Sequence, residues 1–325
     1  MTATRRPILS TVLRWSGLSL AGVLIGLLIA AGRGGARSTS PPSSAPATPA
    51  SASRPADCPC RTEAMRREAS RVAEDLRGRL GASAAVIVDP PFVVAGNLPE
   101  AQLQRYLATA VRRPAEAMWA SLFQRRPTRV ITVLLFADRD SYLAGAKRLF
   151  GDENVSAFGY YRRNERALVM NIDTGTGTLV HELTHALMAF DYPGAPDWLA
   201  EGLACLHEQC RVADEGIRGL PNWRLEGLQA AIGGGTLRPL ADLLADDDFY
   251  GPLRGTNYAQ SRYFCLYLQH RDLLVRFYRA CRDSPAAPPA ALVEQLTGEP
   301  LERTDQAFRA WVMTLAWPAE PAREP

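Results

Sequence analysis

Lysine is almost missing from this chain: Lys147 stands alone among 37 basic residues, the others being arginine. With 34 acidic residues the formal charge is only +3, so no bulk field draws the protein toward nucleic acid or anionic lipid, and no nucleic-acid partner is implied. No C-x-x-C pair occurs. The six cysteines, Cys58, Cys60, Cys205, Cys210, Cys265 and Cys281, fit neither a redox motif nor a metal-ligand framework. Their even number permits up to three disulfides. A bridge between Cys205 and Cys210 would require a helix to stop near His207, because five positions on one helix point in different directions. The acidic triplet Asp246-Asp247-Asp248 lacks the spacing of an EF-hand loop and reads as a solvated turn. Histidine is scarce, with four in all.

What is present is a chain with 47% apolar residues, enough for a packed core. Arg5, Arg6 and Arg14 precede Trp15 to Gly32, an uncharged run of eighteen residues. That pattern is an export signal or an N-terminal membrane anchor, with the remainder of the chain outside. Residues 33–56 are rich in Ser, Pro and Ala and bury too little to offset the entropy of ordering, so they read as a flexible linker. Residues 57–325 form the folded domain.

Within that domain periodicity predicts a helix over Arg61 to Leu80, a strand over Ser83 to Val88 and a helical stretch from Pro99 to Phe123 that Pro114 breaks or kinks. A strand is expected over Arg129 to Phe136, a helix over Asp138 to Phe150 and a hairpin over Tyr160 to Ile172 that turns at Arg163-Asn164-Glu165. Beyond residue 173 nearly everything reads as helix: the stretches around His181 and Glu201, then Trp223 to Ile232, Leu240 to Leu244, Arg262 to Cys281 and Leu301 to Trp317. The fold class is α+β, a small sheet followed by a mainly helical half.

The chemistry concentrates in Thr178-Leu-Val-His-Glu-Leu-Thr-His-Ala-Leu187. His181 and His185, four apart, share one helix face and can meet one Zn²⁺, while Glu182, about 100° round the helix, can lean over an open coordination position as general base. Leu179, Val180, Leu183, Ala186 and Leu187 bury that helix, where two unpartnered imidazoles would be costly. Glu201, with fifteen residues between it and His185, lies in Asp197-Trp-Leu-Ala-Glu201-Gly-Leu-Ala204. There Asp197 is the expected cap, and Gly202 is expected to let the two metal-site helices approach closely.

H-E-x-x-H followed by W-x-x-E-G-x-A resembles the gluzincins, the zinc metallopeptidases that include thermolysin, and among them the bacterial peptidase-MA-like domains. The likeness runs from about Arg129 to the C-terminal helices and takes in Tyr258-Ala-Gln-Ser-Arg-Tyr263. It implies a zincin-like fold, Zn²⁺ bound by His181, His185 and Glu201, Glu182 as base, a peptide or protein substrate, and Ala167 to Ile172 as the edge strand alongside which that substrate lies. One position departs from the pattern: Cys205 stands where thermolysin-like enzymes carry a histidine-orienting aspartate, which leaves His181 without an assigned partner. Tyr258 is the candidate donor to a developing oxyanion, with Arg262 or His207 behind it, against the alternative of aromatic core packing. His207 and His270 otherwise read as surface or capping residues. Two functions outside catalysis fit the same sequence, a zincin-like binding module of the cell envelope and a tethered structural protein with a chance H-E-x-x-H. The oligomeric state is not legible.

Overall fold

The computed structural model describes residues 62–81, 84–245 and 247–317. The N-terminal apolar run, the linker, Cys58 and Cys60 lie outside the described residues, and among those described no helix is long and apolar enough to cross a membrane. Helix α1 (Glu63–Leu80) is capped by Thr62, whose side chain accepts from the Met65 amide, and is followed by β1 (Ala85–Asp89) and β2 (Phe92–Gly96). Next come α2 (Glu100–Tyr106), α3 (Arg113–Ser121), β3 (Ile131–Phe136), α4 (Arg139–Phe150), β4 (Gly159–Arg162) and β5 (Ala167–Asn171).

The five strands form one mixed sheet in the order β1-β2-β3-β5-β4, with the outer pairs antiparallel and the inner pairs parallel. Both faces are covered, which explains the unbroken apolar run of Ile131–Phe136. Ile131, Val133 and Leu135 face one cluster, while Leu134 and Phe136 face the other, formed with Met65, Ala69 and Leu76 of α1 and Tyr142 and Ala146 of α4. Strand β2 had no counterpart among the expected elements; Phe-Val-Val-Ala-Gly is short and buried at every position, so it lacks the alternation that marks a half-exposed strand. A second correction concerns the sheet edge. Ala167–Asn171 pairs on both sides, with β3 and with β4, so the edge strand on that side of the sheet is Gly159–Arg162.

Pro114 neither stops nor sharply breaks its helix. The backbone widens into a π-helical turn over Leu107–Arg112 just before it. A wider turn accommodates a residue that has no N–H and whose ring would crowd the carbonyl one turn back.

The second half is helical apart from one hairpin. Helix α5 (Gly177–Asp191) and α6 (Asp197–Glu208) form an antiparallel pair, followed by β6 (Cys210–Ala213) and β7 (Gly216–Gly219), a two-stranded ribbon not expected from the sequence. Then follow α7 (Leu225–Gly233), α8 (Leu240–Leu244), α9 (Arg254–His270), α10 (Leu274–Asp283), α11 (Pro289–Thr297) and α12 (Leu301–Val312). The single helix expected from Arg262 to Cys281 is two, parted at Asp272, whose φ of 54° lies in the left-handed region.

Two features fix the α5–α6 pair to the rest of the domain. At the far end of α5 the fully buried Asp191 accepts from the amides of Gln124 (2.8 Å) and Arg125 (2.6 Å), from the Tyr278 hydroxyl (2.9 Å) and from Arg282 (3.1 Å). On the back of α6, a Cβ placed on Gly202 would lie 2.9 Å from the Ser261 carbonyl oxygen and 3.0 Å from Cys265 Sγ. Gly202 therefore admits α9, not α5 as its position in the motif had suggested. The cap of α6 is likewise Pro196; Asp197 is already its first residue.

Candidate metal centre

Helix α5 begins with its apolar face, Leu179, Leu183 and Leu187, buried against the sheet. This turns His181 and His185 toward α6, and Glu201 comes from the second turn of that helix. The three residues converge: Nε2 of His181 and Nε2 of His185 are 3.2 Å apart, and each lies 3.4 Å from Oε2 of Glu201. Nitrogen and oxygen donors so grouped could hold a metal ion. Oε2 of Glu201 is buried and has no hydrogen-bond partner, a state that costs free energy unless an ion completes it.

The other oxygen is satisfied. The Tyr250 hydroxyl donates to Glu201 Oε1 at 2.8 Å. Burial alone would raise the Glu201 carboxyl, but His185 and His181 outweigh it and hold the group well below the usual carboxylate range. Glu182 shows the opposite balance. Its partly buried carboxyl is raised by desolvation, and the neighbouring His181 and His185 offset only part of that rise.

The partner that the sequence left unassigned for His181 is Glu208. Its Oε1 lies 3.1 Å from Nδ1 of His181, a spacing that fixes the ring and reserves Nε2 for the site. Glu208 follows Glu201 by seven residues, two turns of the same helix, and is one turn beyond Cys205. Its longer side chain reaches back across that turn. Arg224, just ahead of α7, binds both Glu208 oxygens, and Asn222 Nδ2 approaches one of them at 3.5 Å. Burial works to raise Glu208, yet Arg224 and His181 hold it at about 2. Arg224 is stacked on Trp223, 4.1 Å from its ring centroid, and faces the Tyr258 ring at 5.9 Å.

His181, Cys205 and Glu208 make a second close group. A cation there would share Glu208 with the guanidinium of Arg224, and burial keeps the Cys205 thiol neutral, so we read this group as the support of His181. Cys205, Cys210, Cys265 and Cys281 are all free thiols, so no disulfide joins the described cysteines.

The remaining candidates separate. Tyr258 is buried in an aromatic cluster with Phe249 (5.2 Å) and Tyr250 (6.4 Å), on the same side as Glu201. Arg262 is fully buried and points elsewhere, donating to the backbone carbonyls of Cys205 (3.0 Å) and Leu220. It braces the end of α6. His207 is buried too, not at the surface: Nδ1 lies 3.0 Å from the Thr184 hydroxyl, and burial, with the charges of Arg262 and His181, lowers the imidazole to about 3. It is a neutral core residue joining α6 to α5. His270 is exposed and stacks on Trp311. Tyr250, Glu208 and Arg224 had no role in the sequence reading. Only Glu208 left a trace there, as a carboxylate on the ligand helix at a whole number of turns from Glu201.

Compared with known proteins, the chain matches no family model and no curated protein sequence.

Proposed function

We propose that this protein is a zinc-dependent peptidase of the gluzincin type with a zincin-like fold, in which His181, His185 and Glu201 bind the ion and Glu182 is the general base. One observation carries the reading. Ligands at about 2.0–2.1 Å from a tetrahedral Zn²⁺ stand roughly 3.3–3.4 Å from one another, and the three donor atoms here are separated by 3.2, 3.4 and 3.4 Å. Three side chains from two helices have this spacing with the fourth corner contributed by no residue of the set.

A zinc ion held there supplies Lewis-acid activation of water and of a scissile carbonyl. Glu182, its carboxyl raised by burial, takes the proton of the attacking water and passes it to the leaving amine. Glu208 keeps the His181 ring in one orientation and one tautomer throughout. Tyr258 is the candidate donor to the oxyanion. The strand Gly159–Arg162, at the open edge of the sheet and packed against α5, offers unpaired backbone groups to an extended peptide or protein substrate. Export through the N-terminal apolar run, with a membrane tether if it is retained, belongs to the same proposal. The alternative of an inactive binding module drew support from Cys205, and Glu208 removes most of that support by supplying the missing carboxylate.

The test is metal content and digestion of a peptide library by the full-length chain and its Glu182→Gln variant. Both should retain about one zinc per chain, with hydrolysis in the wild type only. A wild type that binds zinc and cleaves nothing favours the binding module; one that binds no zinc rejects the peptidase and leaves only a metal-free module or a chance H-E-x-x-H.

A further inference from the structure

Glu201 has two oxygens and only one turns to the histidines. Oε2 is the buried atom without a hydrogen bond, whereas Oε1 accepts from Tyr250 at 2.8 Å. Tyr250 reaches the site from the connector between α8 and α9, forty-nine positions along the chain from Glu201. That connector is itself anchored. Phe249 is 1% exposed, its carbonyl accepts from the side-chain amide of the buried Asn257 at 2.8 Å, and its ring meets that of Tyr250 edge-on at 5.2 Å. Tyr250 as a residue is more than a third exposed at 36%, so its hydroxyl is brought to Glu201 from the solvent side of the site.

We infer that Tyr250 is a positioning residue for the metal: by occupying Oε1 it fixes the Glu201 carboxylate in a single rotation and leaves Oε2 as the oxygen directed at the ion. The inference rests on His181, His185 and Glu201 binding the metal. A carboxylate free to rotate can offer either oxygen or both, and the ordering of that side chain is then charged against ion binding. A phenol bonded to one oxygen removes that freedom beforehand, as outer partners of metal ligands do. The geometry also distinguishes the two tyrosines. Tyr250 holds the ligand, which leaves Tyr258, deeper in the same cluster, for another role.

The experiment uses Zn²⁺ and Co²⁺ alone with the full-length chain, Tyr250→Phe and His185→Ala. Chelator competition gives the affinity, and the visible absorption of the Co²⁺ form reports the ligand arrangement independently of any substrate. Tyr250→Phe keeps the ring contacts and loses only the hydroxyl. It should weaken binding of both ions by about 10–100-fold and alter the Co²⁺ band shape, while His185→Ala abolishes the band. Asn257→Ala, which frees the Phe249 carbonyl but keeps the phenol, should move both readouts the same way by less, and it decides the matter if Tyr250→Phe does not fold. Unchanged affinity and spectrum in Tyr250→Phe, with His185→Ala inactive in binding, overturn the role of Tyr250 alone. A wild-type chain that takes up neither ion overturns the metal site and this inference together.

Discussion

Glu208 Oε1 and His181 Nδ1 lie 3.1 Å apart, so the carboxylate that orients the first histidine of H-E-x-x-H comes from two turns beyond Glu201 on the same helix. If that contact is what fixes the ring, Glu208→Gln should cost about 10–100-fold in zinc affinity, read by chelator competition. The double variant Cys205→Asp/Glu208→Gln, which returns a carboxylate to the position one turn earlier, should recover part of the loss. Cys205→Asp alone should not bind more tightly than the wild type, because it buries a second negative charge beside Glu208.

The close approach of α6 to α9 gives a prediction independent of metal. Gly202→Ala forces a methyl to within 2.9 Å of the Ser261 carbonyl oxygen and 3.0 Å of Cys265 Sγ. Overpacking of this kind costs about 1–3 kcal/mol. Thermal unfolding should fall by several degrees, at roughly 2–4 °C per kcal/mol for a domain of this size. An unchanged midpoint would mean that the two helices can separate freely.

Acid stability should carry the mark of His207. Its imidazole is lowered to about 3 by burial, with Arg262 and His181 adding to the effect. Between pH 6.5 and about 3 the unfolded chain therefore binds a proton that the folded one refuses, and stability falls as pH drops through that window, by at most about 1.4 kcal/mol per pH unit. Above pH 6.5 the group contributes no pH dependence. Replacing it in His207→Gln should flatten the slope of stability between pH 6 and 4, measured by denaturant melts across the range. Glu208, held at about 2, adds stability that is present above pH 4.5 and lost as pH falls toward 2, so it steepens the lower part of the same curve.

The Asp191 cluster makes the last prediction. Arg282→Met leaves a fully buried carboxylate with two amides and one hydroxyl but without its ion-pair partner, Arg125 reaching only the Asp191 backbone carbonyl. Removing one partner of a buried pair typically costs about 3–5 kcal/mol, so expression or thermal stability should drop sharply. Asp191→Asn in the same background should restore part of it, since the amide needs no counter-charge.

Local chemistry in the sequence reached a good part of this arrangement. The i, i+4 histidines were legible because a helix period sets them, the carboxylate of the next helix from its place in Asp197-Trp-Leu-Ala-Glu201-Gly and the resemblance that segment carries, and the hairpin turning at Arg163-Asn164-Glu165 from its turn residues. The elements that escaped are those whose identity depends on a neighbour. Phe92–Gly96 is buried on both faces and carries no alternation. The ribbon of Cys210–Ala213 and Gly216–Gly219 is four residues a side and packs Gly219 against Leu206. Arg224 and Tyr250 are single residues in connectors, with nothing around them to show which carboxylate they would meet. The edge of the sheet was misassigned for a related reason: Ala167–Asn171 and Gly159–Arg162 are partners, and pairing order is not written in either strand.

Every candidate ligand atom of the proposed site, and the carboxylate behind His181, comes from one unbroken stretch between Gly177 and Glu208. The groups that hold those atoms still, Arg224 and Tyr250, arrive only with later parts of the chain. A polypeptide ending just past Glu208 would own the whole proposed coordination set and neither of these clamps, so, on the proposed reading, strength of metal capture doubles as a gauge of whether the later connectors have docked.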